Sequence, residues 1–332
     1  MRALQLRGPA AAASMPLEFV ELADPEPGPD ELLLSVVACA VCRTDLQLIE
    51  GDLPAHALPL VPGHQAVGRV LEIGRAVQGW QRGDRAGVGW VASTCGSCAF
   101  CVTERENLCG AARFTGWDLP GGFATRLKAR ADFVFRLPGG FDEPTAAPLL
   151  CGGVIGYRSL KVSGIRPGGR LGLFGFGASA LLACQVARHW GCEVHVRTRS
   201  EMEQARAAEL GAASVGTYDE PTPPLDAAVT FAPSGDVVVA ALRCVERGGT
   251  VAINAIHLDR IPEFSYDLLW PERRLCSVAN FTRADAREFL ELAAAIPIRT
   301  AIETFPLAEG NEALRRLSTG GLEATAVLVT GE

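Results

Sequence analysis

Two styles of hydrophobic patterning divide the chain. Residues 1 to about 150 are rich in Pro and Gly and contain short apolar segments, such as ELLLSVVACAV and AVGRVLEIG. Short segments of this kind, separated by turn residues, are typical of β-strands. The first region is therefore predicted to be a β-rich lobe with many turns.

From about residue 160, longer strand and helix patterns alternate. The apolar run RLGLFGFG is followed by the helical stretch ASALLACQVARHWG, which ends at Gly191. EVHVRT is predicted to be a second strand. SEMEQARAAELGA is predicted to be a second helix, in which Ser200 and Glu203 form a capping box. LDAAVTFAP, DVVVAALRCVERGG and TVAINAI continue the alternation, which predicts an α/β fold with a doubly wound parallel sheet.

A glycine fingerprint lies inside this second region. Residues Gly175 to Ala180, GFGASA, match G-x-G-x-x-A between a predicted strand and a predicted helix. Gly175 permits a tight turn, Gly177 lets the backbone approach a pyrophosphate at the helix N-terminus, and Ala180 allows close packing of helix on sheet. The motif predicts dinucleotide binding, against the alternative of a plain strand-to-helix turn.

Length and composition narrow the class of protein. The 332 residues suggest about two domains. The formal charge is −7 with no basic run, which argues against a nucleic-acid partner. Neither a secretion signal nor an apolar run long enough to span a bilayer is evident, so no membrane partner is expected. We therefore expect a cytosolic protein, whose thiols are kept reduced.

Four cysteines occur within fifteen residues, in CGSCAFCVTERENLC. A disulfide knot, an iron–sulfur cluster and a metal clamp are the alternatives. A reducing compartment disfavours disulfides, and the long last gap, with Gly110 after it, departs from the ferredoxin pattern. The spacing C-x2-C-x2-C-x7-C favours a closed, structural zinc site formed by Cys95, Cys98, Cys101 and Cys109.

Three further segments carry possible metal ligands: Cys42 in AVCRTDLQ, His64 in VPGHQAV and Cys151 in PLLCGG. Taken singly, each is more simply explained as a buried thiol or a turn histidine. The presence of the glycine fingerprint and the four-cysteine lobe in the same chain makes a role as metal ligands more plausible than for each residue alone.

In this combination the sequence resembles the zinc-dependent alcohol dehydrogenases of the medium-chain dehydrogenase/reductase superfamily, in particular their bacterial branch. The resemblance spans essentially the whole chain, and its carriers are CRTD, PGH, GDRAGVGW, the four-cysteine lobe, FTGWD, PLLCGG and GFGASA. It implies a GroES-like catalytic domain over residues 1–150, with the structural zinc lobe at about 95–109. This domain is completed by about 286–332, and a Rossmann coenzyme domain covers 151–285.

The resemblance also implies roles for single residues. It assigns a catalytic zinc to Cys42, His64 and Cys151, which leaves one tetrahedral position open for substrate. Thr44 would bond the substrate oxygen and begin a proton relay, and Asp45 would orient the zinc-bound histidine. Arg43 and, on a weaker match, Arg283 would lie near the coenzyme pyrophosphate. The chain would thus hold two zinc ions and a nicotinamide coenzyme.

Two positions depart from the family pattern. Gln65 follows the zinc histidine where many relatives have glutamate, which should leave the zinc more electrophilic and puts ligand exchange in doubt. Gln47 replaces a relay histidine and has no titratable proton, so the relay would end at Thr44 and the coenzyme ribose or use water.

The predicted second strand indicates the coenzyme. NAD-specific Rossmann domains place an acidic residue at the end of this strand, where it binds the ribose 2′-hydroxyl. No carboxylate occurs from Val194 to Ser200, and the expected position holds Thr198, followed by Arg199. A 2′-phosphate would meet no repulsion there and could pair with Arg199, which slightly favours NADP(H) over NAD(H).

The substrate is expected to be a small alcohol or aldehyde. Trp90 and Trp117 suggest an apolar pocket for short aliphatic or benzylic substrates, although either indole could simply pack in the core. A zinc-independent quinone or enoyl reductase and a non-catalytic redox sensor are the alternative functions. The three possible zinc ligands disfavour a zinc-independent reductase. The presence of Thr44, the residue expected to bind the substrate oxygen, disfavours a non-catalytic sensor. By resemblance, a homodimer or homotetramer is expected.

Overall fold

The computed structural model describes residues 1–255 and 258–331. The strands are β1 (Arg2–Leu6), β2 (Leu17–Glu21), β3 (Glu31–Ala40), β4 (Ala66–Ile73), β5 (Arg85–Val88), β6 (Val91–Ser93), β7 (Arg113–Phe114), β8 (Arg126–Arg130), β9 (Val134–Arg136), β10 (Arg170–Phe174), β11 (Glu193–Arg197), β12 (Ser214–Gly216), β13 (Leu225–Thr230), β14 (Val245–Ile253), β15 (Arg274–Ser277), β16 (Ile302–Pro306) and β17 (Thr325–Val329). The helices are α1 (Arg43–Glu50), α2 (Ala99–Val102), α3 (Glu143–Ala146), α4 (Gly152–Ser163), α5 (Ala178–His189), α6 (Glu201–Glu209), α7 (Gly235–Cys244), α8 (Arg283–Ala295) and α9 (Gly310–Ser318).

Two compact units make up the chain. The first unit consists of Met1–Cys151, Asn280–Ala295 and Thr300–Glu332, and the second of Gly152–Ala279 and Ile296–Arg299. Within the described residues, no helix has the length and apolar character needed to cross a bilayer.

The first unit is built on a seven-stranded sheet with the order β16-β17-β3-β4-β5-β9, in which β8 also pairs with β3. β17 pairs antiparallel with β3, so the C-terminal segment completes the sheet begun by the N-terminal half. On β3 the side chains of Leu32, Leu34 and Val36 alternate into the core, where they are at most 1% exposed. The β-rich first region predicted from its short apolar segments is confirmed.

The second unit holds a six-stranded parallel sheet with the order β12-β11-β10-β13-β14-β15. Counted from β10, this is the 3-2-1-4-5-6 order of dinucleotide-binding sheets. Buried residues of β10, β13 and α7 form one apolar cluster that includes Phe174, Leu225 and Leu242. The predicted doubly wound parallel sheet is confirmed.

Local sequence signals set the ends of α5 and α6. α5 follows Gly177, and Gly191 lies just beyond its C-terminus with a φ of +75°, a backbone conformation that favours glycine. α6 is capped by Ser200, whose side chain accepts a hydrogen bond from the Glu203 N–H at 3.3 Å. The predicted capping box is only half formed, because the Glu203 carboxylate bonds to Thr198 and to the N–H of Phe176 instead.

Candidate catalytic and metal sites

The first turn of α1 positions three of the predicted site residues. Cys42 is the N-cap of this helix, and its sulfur accepts a hydrogen bond from the N–H of Thr44 at 3.4 Å. Asp45 completes a capping box by accepting from the N–H of Cys42 at 2.9 Å. The helix cap thus fixes the Cys42 thiol and the Asp45 carboxylate next to each other, and both Thr44 and Asp45 are buried.

His64 joins this pair from the segment that precedes β4. Its side chain is 1% exposed, and Nδ1 lies 3.0 Å from Asp45 Oδ1. Nε2 lies 3.3 Å from the Cys42 sulfur. When Asp45 accepts the Nδ1 proton, the lone pair of Nε2 points to the sulfur, which is the arrangement that orients a metal-binding histidine.

Cys151 completes the cluster. The ligand atoms of Cys42, His64 and Cys151 all lie within 4.8 Å of one another. The hydrogen bond from the Cys151 thiol, together with His64, outweighs burial and holds the pKa of Cys42 well below its usual value. Tetrahedral zinc with Zn–S of ~2.3 Å and Zn–N of ~2.0 Å would place sulfur and nitrogen ~3.5 Å apart, so the 3.3 Å spacing fits such an ion.

The four lobe cysteines form a second cluster, with all ligand atoms within 4.8 Å of one another. The sulfur of Cys95 lies 3.8 Å from that of Cys101 and 3.5 Å from that of Cys109, and Cys98 lies 3.6 Å from Cys101. Four thiolates on one zinc ion would be ~3.8 Å apart. Backbone N–H groups of Ser97 and Cys98 lower the pKa of Cys95 to about 6, which favours the thiolate that a metal needs.

Arg283 forms ion pairs within the first unit. Its guanidinium contacts Glu106 and Asp132 at 3.2 Å each and stacks over the Phe133 ring at 4.9 Å. The N–H of Arg283 also donates to Glu106 at 2.9 Å. Glu106 belongs to the cysteine lobe and is buried, so Arg283 ties the lobe to the start of α8 within the first unit. The pyrophosphate role of Arg283 stays a prediction. The NFTR match could not reveal these ion pairs, because both partners are distant in sequence.

Three further predicted residues, two on α1 and one after His64, differ in how far their side chains are exposed. Arg43 is exposed and forms no ion pair with the described residues. Gln65 is buried, and its amide donates to the carbonyl of Ala40 at 3.4 Å. Gln47 is half-buried on α1. An uncharged amide thus directly follows His64 in this chain.

Trp90 and Trp117 belong to an aromatic stack beside the first metal cluster. Their rings stack at 5.8 Å and 15°, and Phe114 stacks on both. Trp90 and His64 form a T-shaped pair with a centroid distance of 4.9 Å, so the stack reaches the metal cluster. His56 stacks on the far end, on Trp117 at 4.2 Å. No sequence motif marks His56, whose place beside Trp117 depends on the fold.

In the second unit, the glycine fingerprint forms an open loop. Gly175 has a φ of +89°, its N–H donates to the carbonyl of Arg197 at 2.7 Å, and a Cβ there would come within 2.8 Å of the Ala232 nitrogen. A Cβ on Gly177 would meet nothing within 4 Å, which leaves the N-terminus of α5 open to a ligand. Ala180 is fully buried against the sheet. These features fit a dinucleotide pyrophosphate.

The end of β11 carries the predicted coenzyme-specificity residues. Thr198 is buried and Arg199 is exposed. The neighbouring Arg197 is buried, and its guanidinium donates to the carbonyls of Val196 at 2.8 Å and Pro221 at 2.7 Å. Arg199 is therefore the arginine of this strand end that is exposed to solvent and available to a ligand.

The chain is similar to known proteins over nearly its whole length. A family model described as "Alcohol dehydrogenase GroES-like domain" matches residues 28–139, and one described as "Zinc-binding dehydrogenase" matches residues 178–295. The protein named "Probable alcohol dehydrogenase AdhA" from Mycobacterium tuberculosis is 47% identical over 336 residues, covering 99% of this chain and 97% of that protein.

Two solved structures are similar over their full lengths. A cinnamyl alcohol dehydrogenase from Sorghum bicolor superposes with a TM-score of 0.90 at 25% identity, covering 99% of this chain and 97% of that one. A cobalt- and zinc-bound thermostable alcohol dehydrogenase from Pyrobaculum aerophilum gives a TM-score of 0.89 at 25% identity, covering 99% of each chain.

Proposed function

Because the chain belongs to the zinc-type alcohol dehydrogenases of the medium-chain dehydrogenase/reductase superfamily, we infer that Cys42, His64 and Cys151 hold the metal ion of its reaction. The protein is an oxidoreductase that acts on alcohols and on the corresponding aldehydes. The observation that carries the inference is the convergence of two thiols and one imidazole to within 4.8 Å, with the imidazole oriented by the buried Asp45. The first unit is thus proposed as the catalytic domain and the second as the coenzyme domain.

When bound, zinc polarises the substrate oxygen and the nicotinamide exchanges a hydride with the substrate carbon. The chain's own contribution begins at Thr44, whose hydroxyl has no hydrogen-bond partner among the described residues. We propose that this hydroxyl accepts a hydrogen bond from the substrate alcohol and gives up its own proton as it takes up the substrate's. Asp45 holds His64 in the tautomer that leaves Nε2 free to bind metal. Since Gln47 cannot titrate, it offers no acceptor for that proton, which would pass to the coenzyme ribose or to water.

The alternative of a zinc-independent quinone or enoyl reductase is disfavoured by the presence and convergence of all three ligands. The four lobe cysteines would hold a second, structural zinc ion, which gives a proposed content of two zinc ions per chain. A reducing compartment such as the cytosol suits these thiolates. The proposed assembly is a homodimer or homotetramer.

The substrate proposal rests on the aromatic stack. Because Trp90 touches His64 and stacks on Trp117, an aromatic cluster adjoins the ligands of the proposed catalytic metal. We propose that primary or secondary alcohols, including benzylic ones, pack against this cluster. The similarity to a cinnamyl alcohol dehydrogenase supports an aromatic substrate.

In Trp117→Ala we expect the KM for benzyl alcohol to rise by about tenfold, because a lost aromatic stacking contact is worth about 1 kcal/mol or more. The KM for ethanol should change much less, since ethanol offers no ring to stack. Steady-state kinetics with both alcohols measures the difference. Trp80→Ala is the matched control, because Trp80 is half-buried and packs under Arg136 instead. Equal changes for the two alcohols would contradict an aromatic pocket.

The coenzyme proposal is a slight preference for NADP(H), supported by the exposed Arg199 at the end of β11. In the wild type, the ratio of kcat/KM for NADPH over NADH should exceed one. In Arg199→Ala the ratio should fall by about tenfold, because a charge-assisted contact with the 2′-phosphate is lost. Arg247→Ala, which removes an exposed arginine in β14, is the control. A wild type that prefers NADH, or an unchanged ratio in Arg199→Ala, would show that Arg199 does not bind the phosphate.

A further inference from the structure

The half-formed cap of α6 leaves the Glu203 carboxylate bound to two other elements. Its Oε2 accepts hydrogen bonds from the Thr198 hydroxyl and from the backbone N–H of Phe176, the latter at 3.3 Å. Within residues 1–255 and 258–331, Oε1 accepts no hydrogen bond. A single carboxylate thus connects the end of β11 to the glycine loop, although Glu203 itself lies on the following helix.

We propose that Glu203 binds the adenosine ribose of the coenzyme, in place of the carboxylate that NAD-specific domains carry at the end of the second strand. The inference rests on the proposed function, in which the second unit binds a nicotinamide dinucleotide. In NAD-specific domains the acidic side chain accepts a hydrogen bond from the ribose 2′-hydroxyl. Here the strand-end position is Thr198, and the Glu203 carboxylate sits on its hydroxyl. The other carboxylate oxygen, Oε1, is available to accept a hydrogen bond from the adenosine ribose 2′-hydroxyl of NAD(H).

The residues around this carboxylate hold it in place. Thr198 is buried, and its N–H donates to the carbonyl of Gly216 at 2.9 Å. The side-chain amide of Gln204 donates to the Thr198 carbonyl at 2.9 Å. Ser200 fixes the backbone of Glu203 by accepting its N–H. An acceptor positioned by several contacts binds its ligand at a smaller entropic cost than a mobile one.

Glu203 and Arg199 then act in opposite directions on coenzyme choice. The carboxylate accepts the 2′-hydroxyl of NAD(H) and repels the 2′-phosphate of NADP(H), whereas the guanidinium attracts the phosphate. Arg199 immediately precedes the N-cap Ser200, and Glu203 lies in the first turn of α6. We therefore expect the wild type to accept both coenzymes with weak discrimination, and Glu203 to be the group that keeps NAD(H) competitive.

The test is coenzyme binding to the zinc-loaded, full-length protein by isothermal titration calorimetry. In Glu203→Gln the Kd for NADH should rise and the Kd for NADPH should fall, so that their ratio changes by at least about tenfold in favour of NADPH. The amide oxygen still accepts from Phe176 and Thr198, so the fold should persist, and an unchanged thermal unfolding midpoint would verify this. Glu201→Gln removes the same charge from an exposed position in the first turn of α6 and should change the ratio by less than about twofold.

Two results would overturn the inference: a ratio in Glu203→Gln within about twofold of the wild type, or an equal change in Glu201→Gln, which would indicate a general effect of charge. Failure of the proposed function would give a separate result, because the wild-type protein would then bind neither NADH nor NADPH. A change in Glu203→Gln together with none in Arg199→Ala would support Glu203 and refute only the role of Arg199.

Discussion

Cys151→Ser should lower kcat/KM for alcohol oxidation by at least about a thousandfold, which corresponds to about 4 kcal/mol of transition-state stabilisation. Cys151 is one of three side chains whose ligand atoms converge to within 4.8 Å, and serine is a poor ligand for zinc. Its loss would leave Cys42 and His64, too few protein ligands to hold the ion in the arrangement that catalysis needs. Stopped-flow measurement of NAD(P)H formation would resolve the residual rate.

The appropriate control is Cys244→Ser. Cys244 is also half-buried, but it lies at the end of α7 in the second unit. This variant should keep its activity within about twofold of the wild type, as substitutions away from functional features generally do. A Cys151→Ser enzyme with undiminished turnover would exclude Cys151 from the catalytic machinery.

Cys109→Ser should lower the midpoint of thermal unfolding by about 10 °C, the effect of about 3–4 kcal/mol in a domain of this size. The reason is the composition of the lobe. Phe100 is 38% exposed, Val102 66% and Leu108 40%, so the lobe buries little apolar surface of its own. Metal–thiolate bonds must then supply most of its stability. Differential scanning calorimetry of the zinc-loaded protein would measure the shift.

Val102→Ser is the control for this second prediction. It changes an apolar side chain within the same lobe that is already exposed, so the unfolding midpoint should move by no more than about 2 °C. If Cys109→Ser also unfolded within about 2 °C of the wild type, the lobe would be stabilised by something other than metal. Catalysis in Cys109→Ser should survive at temperatures where the variant is folded, because Cys109 belongs to the structural cluster.

The elements of the second unit were predictable because their signals are local. Hydrophobic runs, the glycines of the fingerprint and the cap at Ser200 each act within a few residues, and the structure confirms the strands and helices they predict. The exception is the capping box. A sequence pattern places Glu203 at the right spacing but does not determine where its carboxylate points, and in the structure Thr198 and the N–H of Phe176 bind it.

The sites depend on contacts between distant parts of the chain. Cys42, His64 and Cys151 are each unremarkable in sequence, and only the family resemblance connected them before the fold brought them together. Arg283 shows the opposite case, because its partners Glu106 and Asp132 lie more than a hundred residues away and no local pattern reveals them. The sequence likewise does not determine which way a side chain points. Only the structure shows that Arg197 is buried and that Arg199 is exposed.

Zinc content per chain tests the central claim most directly. Inductively coupled plasma mass spectrometry of protein purified from zinc-supplemented cells should give two zinc ions in the wild type and one in Cys151→Ser. The retained ion would belong to the four lobe cysteines, and the lost one to Cys42, His64 and Cys151. Two zinc ions in Cys151→Ser, or a single ion in the wild type that persists in this variant, would contradict the assignment of a catalytic zinc to these three residues.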